Sequence, residues 1–457
     1  MKFKSNMLTH TAIMTAVNLI MKSISVCFNA YLTGKIGSAG IGLFQLIMTV
    51  YSLAVTLASS GVKLTSMRLT VEISASRKHD LNKSMRLITG YALFCSLGTA
   101  IILFAFADFI SIHWISDVAS AAPLRILSLS LPFVSLSAAL SGYFTAKEMI
   151  PQFSFIQMLE QGFKIIITVF LINKYASAGT VYAMSSIVCG MTAAEIFSFS
   201  LSYILKIFKK PESTKLKAIG ASQIFRIALP DGTGAFMRSL LLTIEHLLIP
   251  KGFEKSGSGS AAALSAYGGI HAMALPVLLY PNAVLVSFST LLIPDLAKRN
   301  EIGDIDGINK SVKRNLKRTF YYSLFCSAFC GLLADPLSLL IYKTKEAAQY
   351  IKILAPLVPI MYLDTVTDGI LKGLDQQIYS MRYNIIDSAL CVILVYFLLP
   401  KYSIKGYIFI LYLSEIINFY LSFNRLIKIC DITVFTRIKA VLKPQEDNSI
   451  PSRLKRC

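Results

Sequence analysis

Apolar and polar positions fall along this chain in long blocks rather than in the short periods of a water-soluble fold. Runs of about 20 apolar residues, enough to cross a ~30 Å hydrocarbon core at ~1.5 Å per residue, are divided by short polar turns. Twelve runs are legible: 10–32, 39–61, 86–107, 122–145, 152–173 and 179–205, then 224–249, 263–293, 317–341, 350–372, 382–400 and 404–426. This predicts an all-α integral membrane protein with twelve transmembrane helices. The run 263–293 is over-long and holds Pro276 and Pro281, with Pro294 just beyond, which predicts a kinked or tilted helix. The run from Phe225 to Ile249 carries Pro230, Gly232 and Gly234, which predicts an interrupted helix with Asp231 as a cap at the break.

The pattern occurs twice. At a shift of 216, Met237-Arg238-Ser239 falls on Met21-Lys22-Ser23 and Glu245 falls on Asn29. At a shift of 227, Asn309-Lys310-Ser311 falls on Asn82-Lys83-Ser84, and KILAPLVP from Lys352 falls on RILSLSLP from Arg125. The same shift pairs Gly142 with Gly369, Glu148 with Asp375 and Glu160 with Asp387. The change of shift reflects the longer loop KGFEKSGSGSAAAL in the second copy. Each copy has six spans, and an even number leaves the copies parallel, related by an axis along the membrane normal. The predicted organisation is a first lobe at 1–205, a basic linker at 206–223, a second lobe at 224–426 and a basic tail at 427–457. Two such bundles around a central cavity suit alternating access.

Composition sharpens this picture. The chain has 457 residues, 54% hydrophobic and only 15% charged, so a soluble class is excluded. Its formal charge of +20 does not point to nucleic acid, because Lys and Arg gather in alternate connections. Lys63, Arg68, Arg77, Lys78, Lys83 and Arg86 follow the second span, and Lys206, Lys209, Lys210, Lys215, Lys217 and Arg226 fill the linker. Lys298, Arg299, Lys310, Lys313, Arg314, Lys317 and Arg318 follow the eighth span, and the tail ends in RLKRC. Positive loops stay inside, which predicts a multi-pass protein of the cytoplasmic membrane with both termini cytoplasmic. These loops would also attract anionic membrane lipids. No small-residue cleavage site follows MKFKSNMLTH, so no removable signal peptide is read, and a monomer is expected. The 8 cysteines form no paired metal-ligand spacing, so neither a metal nor another cofactor is expected.

Charges inside the apolar runs are the candidate functional residues, since an ionisable group at membrane depth faces a cavity or a partner. Lys22 and Arg238 lie near the middle of spans one and seven, too deep for simple snorkelling. Two cations on opposite lobes suit an anionic head group, and the Arg fork matches phosphate. Glu245 and His246 are candidates for gating or coupling, and so are Glu160, Lys164 and Asp387. Glu160 and Lys164 stand at i,i+4, the spacing of a helix-surface ion pair, whereas Cys391 stands where the repeat would place a second lysine. Glu245, seven residues after Arg238, can reach it only through an intermediate group, and His271 reads as a packing histidine. Asp364, Asp368, Lys372, Glu195 and Glu415 are further buried charges. Coupling to a proton, sodium or the membrane potential is open on this reading. A membrane-embedded enzyme would need catalytic groups on sizeable outer loops, and the predicted outer loops are short, so no enzyme is expected.

The first hairpin, YLTGKIGSAGIGLFQLIMTVYSLAVTLASSGVKLTSMRLTVE, resembles the stage V sporulation protein B family, with Phe44 in place of a tyrosine and Lys63 in place of a proline. IALPDGTGAFMRSLLLTIEHLLIPKGF looks like the matching entry to the second lobe. That family stands with the multidrug, oligosaccharidyl-lipid and polysaccharide exporters and is similar to lipid II flippases of the MurJ type. The resemblance implies a MATE-like fold and movement of undecaprenyl-pyrophosphate-linked saccharides outward, for peptidoglycan or the spore cortex. It implies that Lys22 meets the lipid pyrophosphate. Many relatives have fourteen spans where twelve are counted here, and the missing pair is associated with a groove for the lipid tail. A cation-coupled multidrug exporter is the alternative.

Overall fold

A computed structural model describes residues 2–76, 79–175, 179–208 and 218–430. Residues 209–217 of the predicted linker (206–223) and 431–457 of the predicted tail (427–457), with Arg77 and Lys78, lie outside the described residues. All described secondary structure is helical. In the first half come α1 (Lys2–Ser59), α2 (Val62–Ser76), α3 (Leu81–Ala105), the short α4 (Ala107–Phe109), α5 (Ala121–Ser128), α6 (Leu131–Ala146), α7 (Ile150–Tyr175) and α8 (Thr180–Phe208). The second half has α9 (Ala221–Lys255), α10 (Ser260–Gly268), α11 (Leu275–Leu278), α12 (Asn282–Ile302), α13 (Ile305–Leu332), α14 (Ala334–Tyr342), α15 (Glu346–Leu354), α16 (Val358–Gly373) and α17 (Gln377–Ile429).

Among the described residues seven helices are long and apolar enough to cross a membrane, or nine if each of two sharply bent pairs counts as one span. Large apolar side chains point outward, as a lipid-facing surface requires: Phe94, Phe208, Leu332 and Leu340 are each about four-fifths exposed (79%, 82%, 82% and 81%). The interior takes small polar residues instead. Ser66, Ser96, Ser135 and Ser323 are fully buried, where small side chains let helices approach. The protein is a multi-span helical membrane protein.

α1 bends at Gly37, whose φ of 74° is open to glycine and strained for other residues. α17 bends at Ser403 (φ 49°, ψ −136°). The over-long run 263–293, expected to be one kinked or tilted helix, is broken: α10 passes into a π-helix, Gly269–Ala274, then α11, and the chain turns before Pro281. At the π-turn and the break, tyrosine hydroxyls from neighbouring helices donate to main-chain carbonyls. The Tyr342 hydroxyl donates to the Met273 carbonyl at 3.0 Å, Tyr362 to Leu278 at 2.6 Å and Tyr322 to Pro281 at 3.0 Å.

The predicted interruption of the seventh span is corrected. α9 runs unbroken through Pro230, Gly232 and Gly234, and its N-cap is Gly220, so position 231 falls within the helix rather than at a break. The glycines serve close packing rather than breakage. A Cβ on Gly232 would collide with the Ser60 side chain, and one on Gly234 with Met381.

The repeat recurs bond by bond at the shift of 227. Arg125 pairs with Asp108 at 2.5 Å, and Lys352 with Asp335 at 2.5 Å. Ser111 donates to the Asp117 carbonyl and Ser338 to that of Thr344, both at 2.6 Å. Ser116 and Lys343 are both left-handed, and so are Glu148 and Asp375. Contacts between the two halves of the chain run largely through α1, which meets α9, α10 and α12.

Candidate functional site

Two seams join the halves. Along the first, the N-terminal segment of α1 faces the broken helix α11–α12. Lys22 donates its Nζ to the Leu279 carbonyl at 3.4 Å, and the Ser23 hydroxyl meets the Tyr280 hydroxyl at 2.7 Å. The carbonyl is available because the helix stops there. Ser25, Val26 and Asn29 continue the Lys22 face of α1 and, with Pro276, Leu279 and Tyr280, enclose a cleft of ≈ 190 Å³. The Lys22 amine is exposed to this cleft, and its described hydrogen bond is to a neutral acceptor. Among the described residues no carboxylate at ion-pair distance compensates its positive charge.

Along the second seam, the C-terminal segment of α1 runs antiparallel to α9. Gly61 lies against the Ala228 backbone, Thr56 donates to the Ser239 hydroxyl at 3.3 Å, and the Thr243 hydroxyl reaches the Thr49 carbonyl at 3.5 Å. The seam ends where Lys251 donates to the His113 carbonyl at 2.6 Å. The two seams meet at one end of the bundle. There a Cβ on Gly42 would collide with the Leu264 carbonyl, one on Gly268 with the Ser38 carbonyl, and Ser38 bonds Ser265 at 2.7 Å.

Arg238 is exposed but is not a wall of the Lys22 cleft. It lies instead within electrostatic range of Asp387 on α17, and Asp387 lies within range of Glu245. Asp387 is thus the intermediate group between Arg238 and Glu245. Its Oδ1 accepts from Ser414 at 2.6 Å. Around it stand Glu415 and Asp364, whose Oδ2 accepts from Asn418 at 3.2 Å. The Oδ1 atoms of both Asp364 and Asn418 are buried without a partner. Asp368 is separately held by Lys372 at 2.6 Å and by Ser380.

In the first half Glu160, Lys164 and Glu195 form a cluster between α7 and α8, with Ser198 facing Glu160. Glu160 and Lys164 are half-buried towards α8, so the expected helix-surface pair is an internal network. Neither of the two repeat shifts links Glu195 with Glu415. A shift of 220 does so, laying EIFSFSLS (195–202) on EIINFYLS (415–422) and Ser198 on Asn418. The signal is present in the sequence but needs a third shift, because the connection before the last span is shorter in the second half. Each half therefore buries a carboxylate pair, Glu160 with Glu195 and Asp387 with Glu415.

His246 and His271 belong to a packed aromatic group. His246 Nδ1 meets the Tyr267 hydroxyl at 2.8 Å, His271 Nε2 meets that of Tyr407 at 2.6 Å, and the two imidazoles lie 4.7 Å apart. The packing role predicted for His271 is what its surroundings supply. Replacing Tyr407 by Phe leaves the His271 nitrogen buried and unpaired, which should cost about 1–3 kcal/mol. A fall in the thermal unfolding temperature in detergent is expected, whereas unchanged unfolding would show that the bond contributes nothing. Among the described residues no His/Cys/Asp/Glu group has the geometry of a metal site, and the seven described cysteines are free.

The fold is shared with solved transporters. An inward-facing multidrug resistance MATE family transporter of the MOP superfamily superimposes with a TM-score of 0.72 at 11% identity, over 91% of this chain and 98% of that one. The lipid II flippase MurJ in an inward closed conformation gives 0.71 at 15% identity, over 95% and 94%. Among curated proteins, stage V sporulation protein B of Bacillus subtilis (strain 168) is 22% identical over 413 residues, 88% of this chain and 79% of that protein. The sequence model of a family described as polysaccharide biosynthesis protein matches residues 7–298, well over half the chain. With its MATE- and MurJ-like fold, the chain belongs to the polysaccharide biosynthesis protein family.

Proposed function

We propose that this protein is a flippase that carries a polyprenyl-pyrophosphate-linked saccharide, a peptidoglycan-type or polysaccharide precursor, out across the cytoplasmic membrane by alternating access. The observation that carries the reading is the setting of Lys22. It is a cation inside an apolar span, turned into a cleft between the halves, with Ser25, Asn29 and Tyr280 beside it to meet a polar head. A cation at that depth is costly unless something anionic visits it. Arg238, its repeat mate, supplies a second cation on α9. The likeness to MurJ and to stage V sporulation protein B supports a lipid-linked substrate; spore cortex synthesis is one setting for it.

The architecture proposed is twelve spans in two parallel lobes, 1–205 and 224–426. α1 and α17 give two spans each on either side of Gly37 and Ser403. α9 counts as a span although Arg238, Glu245 and His246 lower its mean hydropathy. The basic loops place both termini in the cytoplasm, and the end closed by Ser38 and Ser265 is then the outer end.

Binding of undecaprenyl-pyrophosphate-linked saccharides to the purified protein tests the reading. Lys22→Ala/Arg238→Ala should weaken binding at least about tenfold, or about 1.4 kcal/mol. Equal binding by both proteins would remove the two cations from the head-group site, and no binding by wild type would remove the flippase. The second reading, a cation-coupled multidrug exporter, draws on the partly unpaired carboxylates around Asp364 and predicts binding of organic cations instead.

A further inference from the structure

The second seam holds an apolar groove of ≈ 340 Å³. Leu240, Ile244, Leu247 and Leu248 of α9 form one wall, Trp114 stands across from them, and Lys251 closes the outer end. Thr243 also faces the groove, but its hydroxyl donates back to the Ser239 carbonyl at 2.8 Å and leaves its methyl group as lining. The groove is therefore apolar along its length and cationic at its rim. The described hydrogen bond of Lys251 is to the His113 carbonyl, a neutral acceptor, and among the described residues no carboxylate lies at ion-pair distance. Glu254 and Lys255 are its charged neighbours on α9. An indole and an ammonium at one end of an apolar trough mark a membrane interface.

A trough of hydrocarbon side chains below an ammonium without an ion-pair partner among the described residues complements one kind of ligand, an amphiphile with an anionic head and an apolar chain. The first seam differs, since its cleft presents Lys22, Ser25, Asn29 and Tyr280. Arg238 lies on α9 itself, 13 residues below Lys251, which is about 20 Å along the helix. Thirteen residues also turn the helix to nearly its opposite face, so Arg238 looks towards Asp387 while Lys251 offers a separate cation on the groove face at the interface.

We infer that this groove seats the apolar chain of the polyprenyl-pyrophosphate substrate as it leaves between the halves, with Lys251 on its phosphate. The inference rests on the flippase reading and adds an exit and a tail site to it. It also supplies a place for the tail in a chain counted as lacking the extra helix pair.

The test is photocrosslinking in phosphatidylcholine vesicles, with p-benzoylphenylalanine replacing Leu247 in the full chain and radiolabelled undecaprenyl pyrophosphate as probe. Phe325, an exposed residue of α13, is the lipid-facing control position. Labelling at 247 should exceed labelling at 325 about tenfold, should be displaced by unlabelled undecaprenyl pyrophosphate, and should resist phosphatidylglycerol. Lys251→Gln should remove about nine-tenths of it and Lys251→Arg should keep it, which separates charge from folding. Equal labelling at both positions, or displacement by phosphatidylglycerol, overturns the inference, because the groove then takes bulk lipid. Failure of the flippase reading is separable. If 247 labels as expected while Lys22→Ala/Arg238→Ala binds normally, the tail site stands and the head-group site falls. The opposite pattern keeps the head-group site and removes the tail site.

Discussion

Cysteines at Ser38 and Ser265 are expected to form a disulfide and stop transport completely, with full recovery on reduction. The two hydroxyl oxygens are 2.7 Å apart, so sulfur atoms in their place would need only a small adjustment to reach bonding distance. These two serines are also mates at the repeat shift of 227. Residues related by a twofold axis that touch each other lie on that axis, so the contact marks where the proposed lobes meet at this end. Opening the bundle at this end must separate them. The contact around them is backbone on backbone, Gly42 against Leu264 and Gly268 against Ser38, with no side chain between to yield. A rocking motion therefore breaks it as a unit, as bistable packed interfaces do.

The measurement is lipid flipping in vesicles for the double-cysteine protein, oxidised and then reduced, with each single-cysteine variant as control. Flipping at background after oxidation and at wild-type level after reduction is the expected pair of results. A crosslinked protein that still flips would show that this end need not open, and alternating access by opening here would fall. Failure to crosslink at all would show that the two segments do not meet in the membrane.

Much of this arrangement is legible in the sequence, for a physical reason. A bilayer demands unbroken apolar runs of a set length, so spans and their broken member 263–293 stand out. The repeat is legible because duplicated helices kept their polar punctuation, including Lys22 with Arg238 and Glu160 with Asp387. Local propensity misleads at α9. Pro230, Gly232 and Gly234 read as a break, yet in the fold the glycines accept Ser60 and Met381, contacts no local rule can see. Lys22 is legible as a charge in an apolar run, but its acceptor at Leu279 lies 257 residues away and exists only because the helix stops there. The cationic rim at Lys251 is hidden for the opposite reason. At the end of a span a lysine is ordinary, and its groove appears only once Trp114 is brought over α9.

The two carboxylate pairs lead to the second large effect. In the first half Glu160 and Glu195 have an internal counter-ion, Lys164, on the same helix as Glu160. In the second half Arg238, which the proposal also assigns to substrate, lies within range of Asp387, and Lys372, already bonded to Asp368, lies within range of Asp364. The position equivalent to Lys164 is Cys391, buried beside Asp387, Glu245 and Glu415. Carboxylates in a low-dielectric interior need a proton or a cation, and the cations near these are engaged elsewhere, Lys372 on Asp368 and Arg238 in the proposed substrate site. The orphaned Oδ1 atoms of Asp364 and Asn418 are the acceptors left over. The first half then acts as a fixed scaffold and the second as the half that loads and unloads charge. Cys391→Lys transplants the missing ammonium. Transport should fall to background while lipid binding persists and the unfolding temperature holds or rises, since a permanent counter-ion replaces an exchangeable one. Cys391→Met, of similar bulk but neutral, should transport normally. Should the lysine variant transport like wild type, with its fold intact, the second-half carboxylates do not exchange charge during the cycle. Coupling would then have to arise in the first half, where Lys164→Met would become the decisive variant.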